Sequence, residues 1–290
     1  MPTFVAEREH RTFTDAHGVV VHYYVWAPGK PRGAVQIAHG VGEHALRYEA
    51  LAQSLVTAGY VVYADDHRGH GQTGVEYWGG DLSKIGKLGV GGLRATQQNL
   101  LDLAELVRLD YPDLPFALIG HSWGSLMAQN LLNEGPVPWD AVVLTGTAYR
   151  TPLAMNGGDL NARHKHLGTT GAEWLSRDPA VSEAFAVDPL TTDAKVLQLF
   201  GLRDGLRLYG TPKRVERPMP MLIMVGDDDP LGGEASAKKL ADAYLQRGGL
   251  TDVELIVYEG ARHEVFNETN QVEVRADLVA WLDDRLLAGS

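Results

Sequence analysis

Five consecutive residues, Gly120-His121-Ser122-Trp123-Gly124, set a serine hydroxyl between two glycines in a G-x-S-x-G pattern. An apolar run, FALI at 116–119, precedes the pattern, and a helical stretch, SLMAQNLL at 125–132, follows it. A strand that turns straight into a helix about the serine crowds the positions two residues either side. Glycine there removes the colliding side chains. The turn lifts the Ser122 hydroxyl to a helix N-terminus, where backbone N–H groups and the helix dipole favour developing negative charge. The chemistry that uses such a serine is nucleophilic attack on a carbonyl, and it needs a base. His263 is the candidate, in Gly260-Ala261-Arg262-His263-Glu264 after the apolar run VELIVY. The base needs a carboxylate on its other ring nitrogen, and Gly226-Asp227-Asp228-Asp229-Pro230 offers three after the run MLIMV. The oxyanion needs two donors. The glycine-rich turn His39-Gly40-Val41-Gly42 can aim the Val41 N–H into the site, and the Trp123 N–H, next after the nucleophile, is the second.

Other clusters point to less. His39 reads as a structural ring that shapes its turn. His67-x-x-His70 lies in a glycine-broken loop, and the helical H-E-x-x-H arrangement is absent, so no metal is expected. Gly86-Lys87-Leu88 lacks the hydroxyl residue of a phosphate-binding loop, and its neighbouring glycines do not follow a strand. No cofactor is expected.

Short apolar runs alternate with helical patterns, which predicts an α/β fold: a mostly parallel sheet with helices on both faces. Strand-like runs lie at 11–13, 19–26, 34–38, 60–64, 116–119, 141–145, 221–225 and 253–258, the first two forming an edge hairpin. Helical spacing covers 48–58, 93–109, 125–132, 234–247 and 272–287. Between Gly146 and Arg217 the rhythm stops: about 70 residues show no strand, far more than an ordinary strand–helix connection. Helical pieces are expected there at 161–167, 172–175 and 193–208. The chain therefore divides into a core, 1–146 and 215–290, and an inserted helical cap, 147–214, carried at the sheet end where ligands of open α/β sheets bind.

The 26 basic and 37 acidic residues of this 290-residue chain leave a net charge of −11, and no basic run exceeds two residues, which argues against a nucleic-acid partner. There is no cysteine, so disulfides and thiolate chemistry are excluded. The N-terminal MPTFVAEREHRTF carries charges where a secretory signal needs an apolar stretch, and no window of about 18 apolar residues exists to span a bilayer. A cytoplasmic protein is the expectation.

Four blocks, HGVGEHALRY (39–48), DDHRGHGQT (65–73), GHSWGS (120–125) and the pair VGDDDP (225–230) with YEGARHEVFNE (258–268), carry a resemblance over essentially the whole chain. It resembles the monoacylglycerol lipase and lysophospholipase-like branch of the α/β-hydrolase superfamily, grouped with the serine aminopeptidase-like hydrolases. The resemblance implies Ser122 as nucleophile, His263 as base and Asp229, the fourth residue of G-x-x-D, as acid. It implies Val41 and Trp123 as oxyanion donors and a helical cap. Pro230 agrees, since it holds Asp229 extended; an Asn at 229 would keep the shape but permit the wrong His263 tautomer. Two positions depart from the branch: Trp123 stands where Met is common, which implies a reshaped acyl pocket, and Thr73 where Ser is frequent.

The function so implied is hydrolysis of carboxylic esters with an apolar acyl or alcohol part, through an acyl-enzyme. Ten large cap residues are candidates to line the pocket or to pack the cap on the body: Leu160, Leu167, Trp174, Phe185, Leu190, Leu197, Phe200, Leu202, Leu206 and Leu208. The bland alternative is that all are core and leave a small slot. An amidase or aminopeptidase could use the same triad, given an acidic anchor for the amine, for which Glu43 and the carboxylates of the cap are the candidates. A non-catalytic ligand-binding protein would have no need of nucleophile, acid, base and both oxyanion turns together. Partners are a small ester and, through the cap, transient contact with a lipid surface.

Overall fold

The computed structural model describes residues 6–287, so the ends of the first and last segments (1–5 and 288–290) lie outside it. The first two strands, β1 (Arg8–Thr14) and β2 (Val20–Trp26), pair antiparallel. Asp15 closes their turn by accepting the His17 and Val19 N–H groups at 2.8 and 3.0 Å. Then β3 (Gly33–Ala38), α1 (Glu49–Thr57), β4 (Tyr60–Asp65), α2 (Gly71–Tyr77), α3 (Gly92–Asp110), β5 (Phe116–His121), α4 (Trp123–Glu134) and β6 (Ala141–Thr145) follow in order. After a strandless insertion carrying α5 (Pro179–Val187) and α6 (Val196–Arg207) come β7 (Met221–Gly226), α7 (Gly233–Ala243), β8 (Val253–Tyr258) and α8 (Gln271–Leu282). The eight strands form one sheet in the order β1-β2-β4-β3-β5-β6-β7-β8. Strands β3 to β8 are parallel to one another, and β2 runs antiparallel to β4. The fold is α/β, as expected.

The strands read as unbroken apolar runs because both of their faces are buried. Side chains alternate between two cores. Phe116, Leu118, Val142, Leu144, Ile223 and Val225 pack under α3, α4 and α7. Ala117, Ile119, Ala141, Val143, Leu222 and Met224 pack under α1 and α8. Gln36 interrupts the apolar run of β3 yet is fully buried. Its amide donates to Leu100 O and accepts from the Trp139 indole, both at 2.9 Å, so its desolvation is compensated.

The insertion differs most from expectation. Segments 161–167 and 172–175 are turns, not helices. Asn161 explains both: its side chain accepts the Trp174 N–H at 3.0 Å and donates to Glu173 at 2.7 Å, a local alternative to helical bonding. The helix expected over 193–208 is α6, broken at Gly201, whose φ of 78° no helix accommodates. Helix α5 was not expected, although its signal is present: the Asp178 side chain caps the Ala180 N–H at 3.0 Å and Pro179 opens the first turn.

Candidate active site

The junction of β5 and α4 is a sharp turn of the backbone. Ser122 has φ 49° and ψ −120°, and it is the one non-glycine residue with positive φ among the described residues. Such a conformation costs energy and persists only where the surroundings hold it. They do: the Ser122 N–H donates to Thr145 O at 2.9 Å, and the Gly124 N–H to His39 O at 3.1 Å. The flanking glycines are steric requirements. A Cβ on Gly120 would stand 2.9 Å from Gly124 O and Ser125 Cα, and one on Gly124 would stand 2.1 Å from Ala38 O. Gly124→Ala is accordingly expected to lower the thermal midpoint by about 10 °C or more, at about 2–4 °C per kcal/mol for a chain of this size. A melting curve superimposable on that of the parent would show that the elbow tolerates a Cβ.

His263 leaves the end of β8, where the chain turns at Gly260. Gly226 lets this loop approach β7, since a Cβ there would lie 1.9 Å from Ala261 O. The approach puts the His263 Nδ1 2.9 Å from Asp229 Oδ1, with both side chains almost wholly buried. The same Asp229 oxygen accepts the Leu231 N–H at 2.9 Å. A carboxylate only accepts, so Nδ1 carries the proton and Nε2 is left with a free lone pair. That Nε2 is buried with no hydrogen-bond partner. Burial is the largest influence on the imidazole and would lower its pKa. The Asp229 charge and hydrogen bond, with the charges of Glu264 and Glu43, outweigh it and raise the pKa above the ordinary histidine value. The neutral form is therefore present above that raised pKa and is lost as the pH falls through it. His121, ring to ring at 4.8 Å, is pushed down to about 4 by burial and by the neighbouring His263, so it stays neutral.

The other two aspartates of the turn have separate tasks. Asp227 accepts the Gly260 N–H at 2.7 Å. Asp228 binds the insertion, through His164 Nε2 at 2.7 Å and through Arg163.

The structure brings the sequence-derived residues together. Val41, Ser122 and His263 line one small cleft, and Val41, Ser122 and Trp123 line the floor of a much larger cavity of about 970 Å³. Trp123 opens α4, where first-turn N–H groups have no acceptor within the helix. Its indole is buried against the His67 and His70 rings, with centroids 5.4 and 5.1 Å away, and against Phe200 at 4.7 Å. The histidine cluster is thus packing under the floor. His39 donates from Nδ1 to Gly40 O at 2.6 Å, accepts the His67 N–H at 3.0 Å, and is held neutral by burial. Thr73, the other departure, accepts the His22 N–H at 2.8 Å and ties its block to β2.

Seven of the ten expected large residues of the insertion line the cavity: Leu160, Trp174, Phe185, Leu197, Leu202, Leu206 and Leu208. Phe200 packs on Trp123 instead, and Leu167 is exposed. The small-slot alternative fails, since this volume lies at the upper end of the roughly 300–1,000 Å³ of ligand pockets. Glu43, a candidate amine anchor from the sequence, is instead taken up by Gly40, Tyr48 and Arg47; its link through Arg47 to Glu264 was not anticipated, although all three stand inside the blocks that carry the resemblance.

A family model described as serine aminopeptidase, S33, matches residues 29–270. The chain belongs to that family. Among relatives of this S33 protein, the monoacylglycerol lipase of Mycolicibacterium smegmatis is 33% identical over 96% of this chain and 98% of its own length. The monoglyceride lipase of Rattus norvegicus is 29% identical over 94% of this chain and 89% of its own. Among solved structures, a highly thermostable carboxyl esterase from Bacillus coagulans superposes with a TM-score of 0.84 at 26% identity, covering 97% of this chain and 99% of the esterase. No helix among the described residues is long and apolar enough to cross a membrane.

Proposed function

We infer that this S33 protein is a carboxylic ester hydrolase of the monoacylglycerol lipase type, with Ser122 as nucleophile, His263 as base and Asp229 as the orienting acid. The carrying observation is His263: its Nδ1 is bonded to a buried carboxylate at 2.9 Å, its Nε2 has no partner, and the residue lines the same small cleft as Ser122. In this reading Nε2 takes the Ser122 proton as the hydroxyl oxygen attacks the ester carbonyl. The Val41 and Trp123 N–H groups hold the tetrahedral oxyanion. His263 returns the proton to the departing alcohol, then takes one from the water that attacks the acyl-enzyme and gives it to the Ser122 oxygen as the acyl–oxygen bond breaks and the acid leaves.

Residues 147–214 act as the cap in this reading. Their inner face gives the acyl chain an apolar room above Trp123. Away from the cavity they expose Leu153, Leu167 and Val187, and the cavity-lining Leu197, Leu202 and Leu206 are themselves partly exposed, a set suited to transient contact with the lipid surface that holds the substrate. An aminopeptidase would need a free carboxylate in the cavity to bind the amine. Glu43 is taken up by the Gly40 N–H, Tyr48 and Arg47, Asp188 by His44 at 2.8 Å and Asp193 by Lys195 at 2.7 Å, while Asp159 accepts the Asn161 N–H at 2.9 Å and lies beside Lys195, which favours the ester. The test is a series of p-nitrophenyl esters from acetate to decanoate on Leu160→Ala and Leu208→Ala. A lost methylene contact is worth about 0.8 kcal/mol, so the long-to-acetate ratio of kcat/KM is expected to fall about fourfold per contact. Chain-length profiles identical to the parent in both variants would remove the cap from acyl selection.

A further inference from the structure

The proposed mechanism uses Val41 from the block at 39–48 and His263 from the block at 258–268, and leaves the rest of both unexplained. The two blocks meet in a buried ionic cluster. Glu43 Oε1 accepts the Gly40 N–H at 2.6 Å and the Tyr48 hydroxyl at 2.7 Å. Glu43 Oε2 accepts from Arg47 Nε at 3.1 Å. Arg47 Nη2 donates to both oxygens of Glu264, at 2.7 and 2.8 Å, and Asn267 donates to the same carboxylate at 2.8 Å. Glu43 and Glu264 are only 3% and 4% exposed.

Position matters more than number. The N–H that Glu43 holds is that of Gly40, the residue directly before Val41, the proposed oxyanion donor. Gly40 also passes against the nucleophile, since a Cβ on it would stand 3.1 Å from Ser122 Cβ. The residue that Arg47 holds is the one directly after His263. One guanidinium thus joins the oxyanion turn to the base loop. The fork also lies over the Phe185 ring at 4.9 Å, so it touches the insertion as well.

Charge adds a second effect. Two carboxylates against one guanidinium leave a net negative charge beside the cleft. The imidazole faces Asp229 from the β7 turn, Glu264 from its own loop, Glu43 from the β3 turn, neutral His121 from β5 and the Trp174 ring at 4.7 Å from the insertion. His263 becomes a cation only as it takes the Ser122 proton, so a fixed negative field favours the transition state over the resting state.

We propose that Glu43, Arg47 and Glu264 are positioning residues: a buried brace that fixes the Val41 turn relative to His263 and supplies negative charge to the imidazolium formed in the reaction. The proposal rests on the assignment of Ser122 and His263 above. Buried ion clusters are often replaceable as far as stability goes, so a catalytic readout is needed.

The experiment measures the pH profile of kcat/KM on p-nitrophenyl butyrate with the full-length chain. Glu264→Gln and Glu43→Gln keep the shape, remove a negative charge and leave Arg47 less neutralised. Each is expected to move the acid limb to lower pH by about half a unit or more. Arg47→Lys keeps the charge but loses the planar fork. It is expected to lower kcat about tenfold, short of the hundredfold or more for a missing oxyanion donor, with KM and the acid limb nearly unmoved. Gln variants that melt like the parent but keep its acid limb would overturn the electrostatic half. An Arg47→Lys variant with parental kcat would overturn the positioning half, and it carries the test should a Gln variant fail to fold. Ser122→Ala run alongside separates the two layers: activity surviving in it would reject the site itself, whereas its loss, with unmoved limbs in the Gln variants and parental kcat in Arg47→Lys, would reject only the brace.

Discussion

Ser122→Ala is expected to lower kcat on a short p-nitrophenyl ester by at least about a thousandfold and to leave the fold intact. Ser122 enters its hydrogen-bond network through the backbone: its N–H donates to Thr145 O at 2.9 Å, and its carbonyl accepts from Leu126 N–H at 3.0 Å and Ser125 Oγ at 2.6 Å. Alanine keeps all of these and has the same Cβ at the same φ. The change therefore removes one oxygen from the wall of a cavity, and the thermal midpoint is expected within about 4 °C of the parent. What the proposed mechanism leaves is binding in the large cavity and the Val41 and Trp123 N–H groups. These act on a carbonyl attacked by water, which accounts for a residual rate above background. Steady-state kinetics and a melting curve on one preparation check both halves. A variant that keeps more than a tenth of the parental rate would move the nucleophile elsewhere.

The elbow was legible because its glycines are dictated locally: the Cβ contacts at Gly120 and Gly124 involve backbone that any such turn must bring together. The sheet was legible because its strands are buried on both faces, so each is an uninterrupted apolar run bounded by turn residues. The insertion was not, because its conformation is decided by distant partners. His164 looks like one face of a helix in the sequence, but its ring is held by Asp228, 64 positions on, and the segment bends to meet it. Helix α6 was expected as continuous because its leucines keep helical spacing on either side of Gly201, where the backbone breaks. The brace was hidden for the same reason as the insertion. Glu43 and Arg47 have the spacing of an ordinary surface pair on a helix, and nothing local shows that Glu264, 217 positions beyond Arg47, closes the cluster in the interior.

Among the three adjacent aspartates, only Asp229 is expected to be essential. Asp229→Ala should cost about 10⁴-fold in kcat, the scale found for the orienting acid of serine hydrolases. Asp227→Asn and Asp228→Asn should cost less than about tenfold, since neither group touches His263, Asp227 is exposed and Asp228 half-buried. Asp227 serves the Gly260 N–H, and Asp228 serves His164 and Arg163 of the insertion. The sequence suggested that Asp229→Asn would install the wrong tautomer of His263. The geometry argues otherwise. One oxygen, Oδ1, accepts from both the Leu231 N–H and the His263 Nδ1, each at 2.9 Å, while Oδ2 is buried without a partner. An asparagine that put its NH₂ in the Oδ1 place would set donor against donor at Leu231. It therefore keeps its carbonyl oxygen there, and that oxygen still accepts the Nδ1 proton. The tautomer survives, and what is lost is the charge opposite the imidazolium, together with the cost of a buried amide left unpaired. Asp229→Asn is thus expected to retain about ten- to a hundredfold more activity than Asp229→Ala, and its acid limb should shift to lower pH because the charge that raises the His263 pKa is gone. The measurement is kcat/KM from pH 5 to 9 for the four single variants on one short ester. Equal losses in Asp229→Asn and Asp229→Ala would restore the tautomer account, and a greater loss in Asp227→Asn or Asp228→Asn would put the acid at another of the three positions.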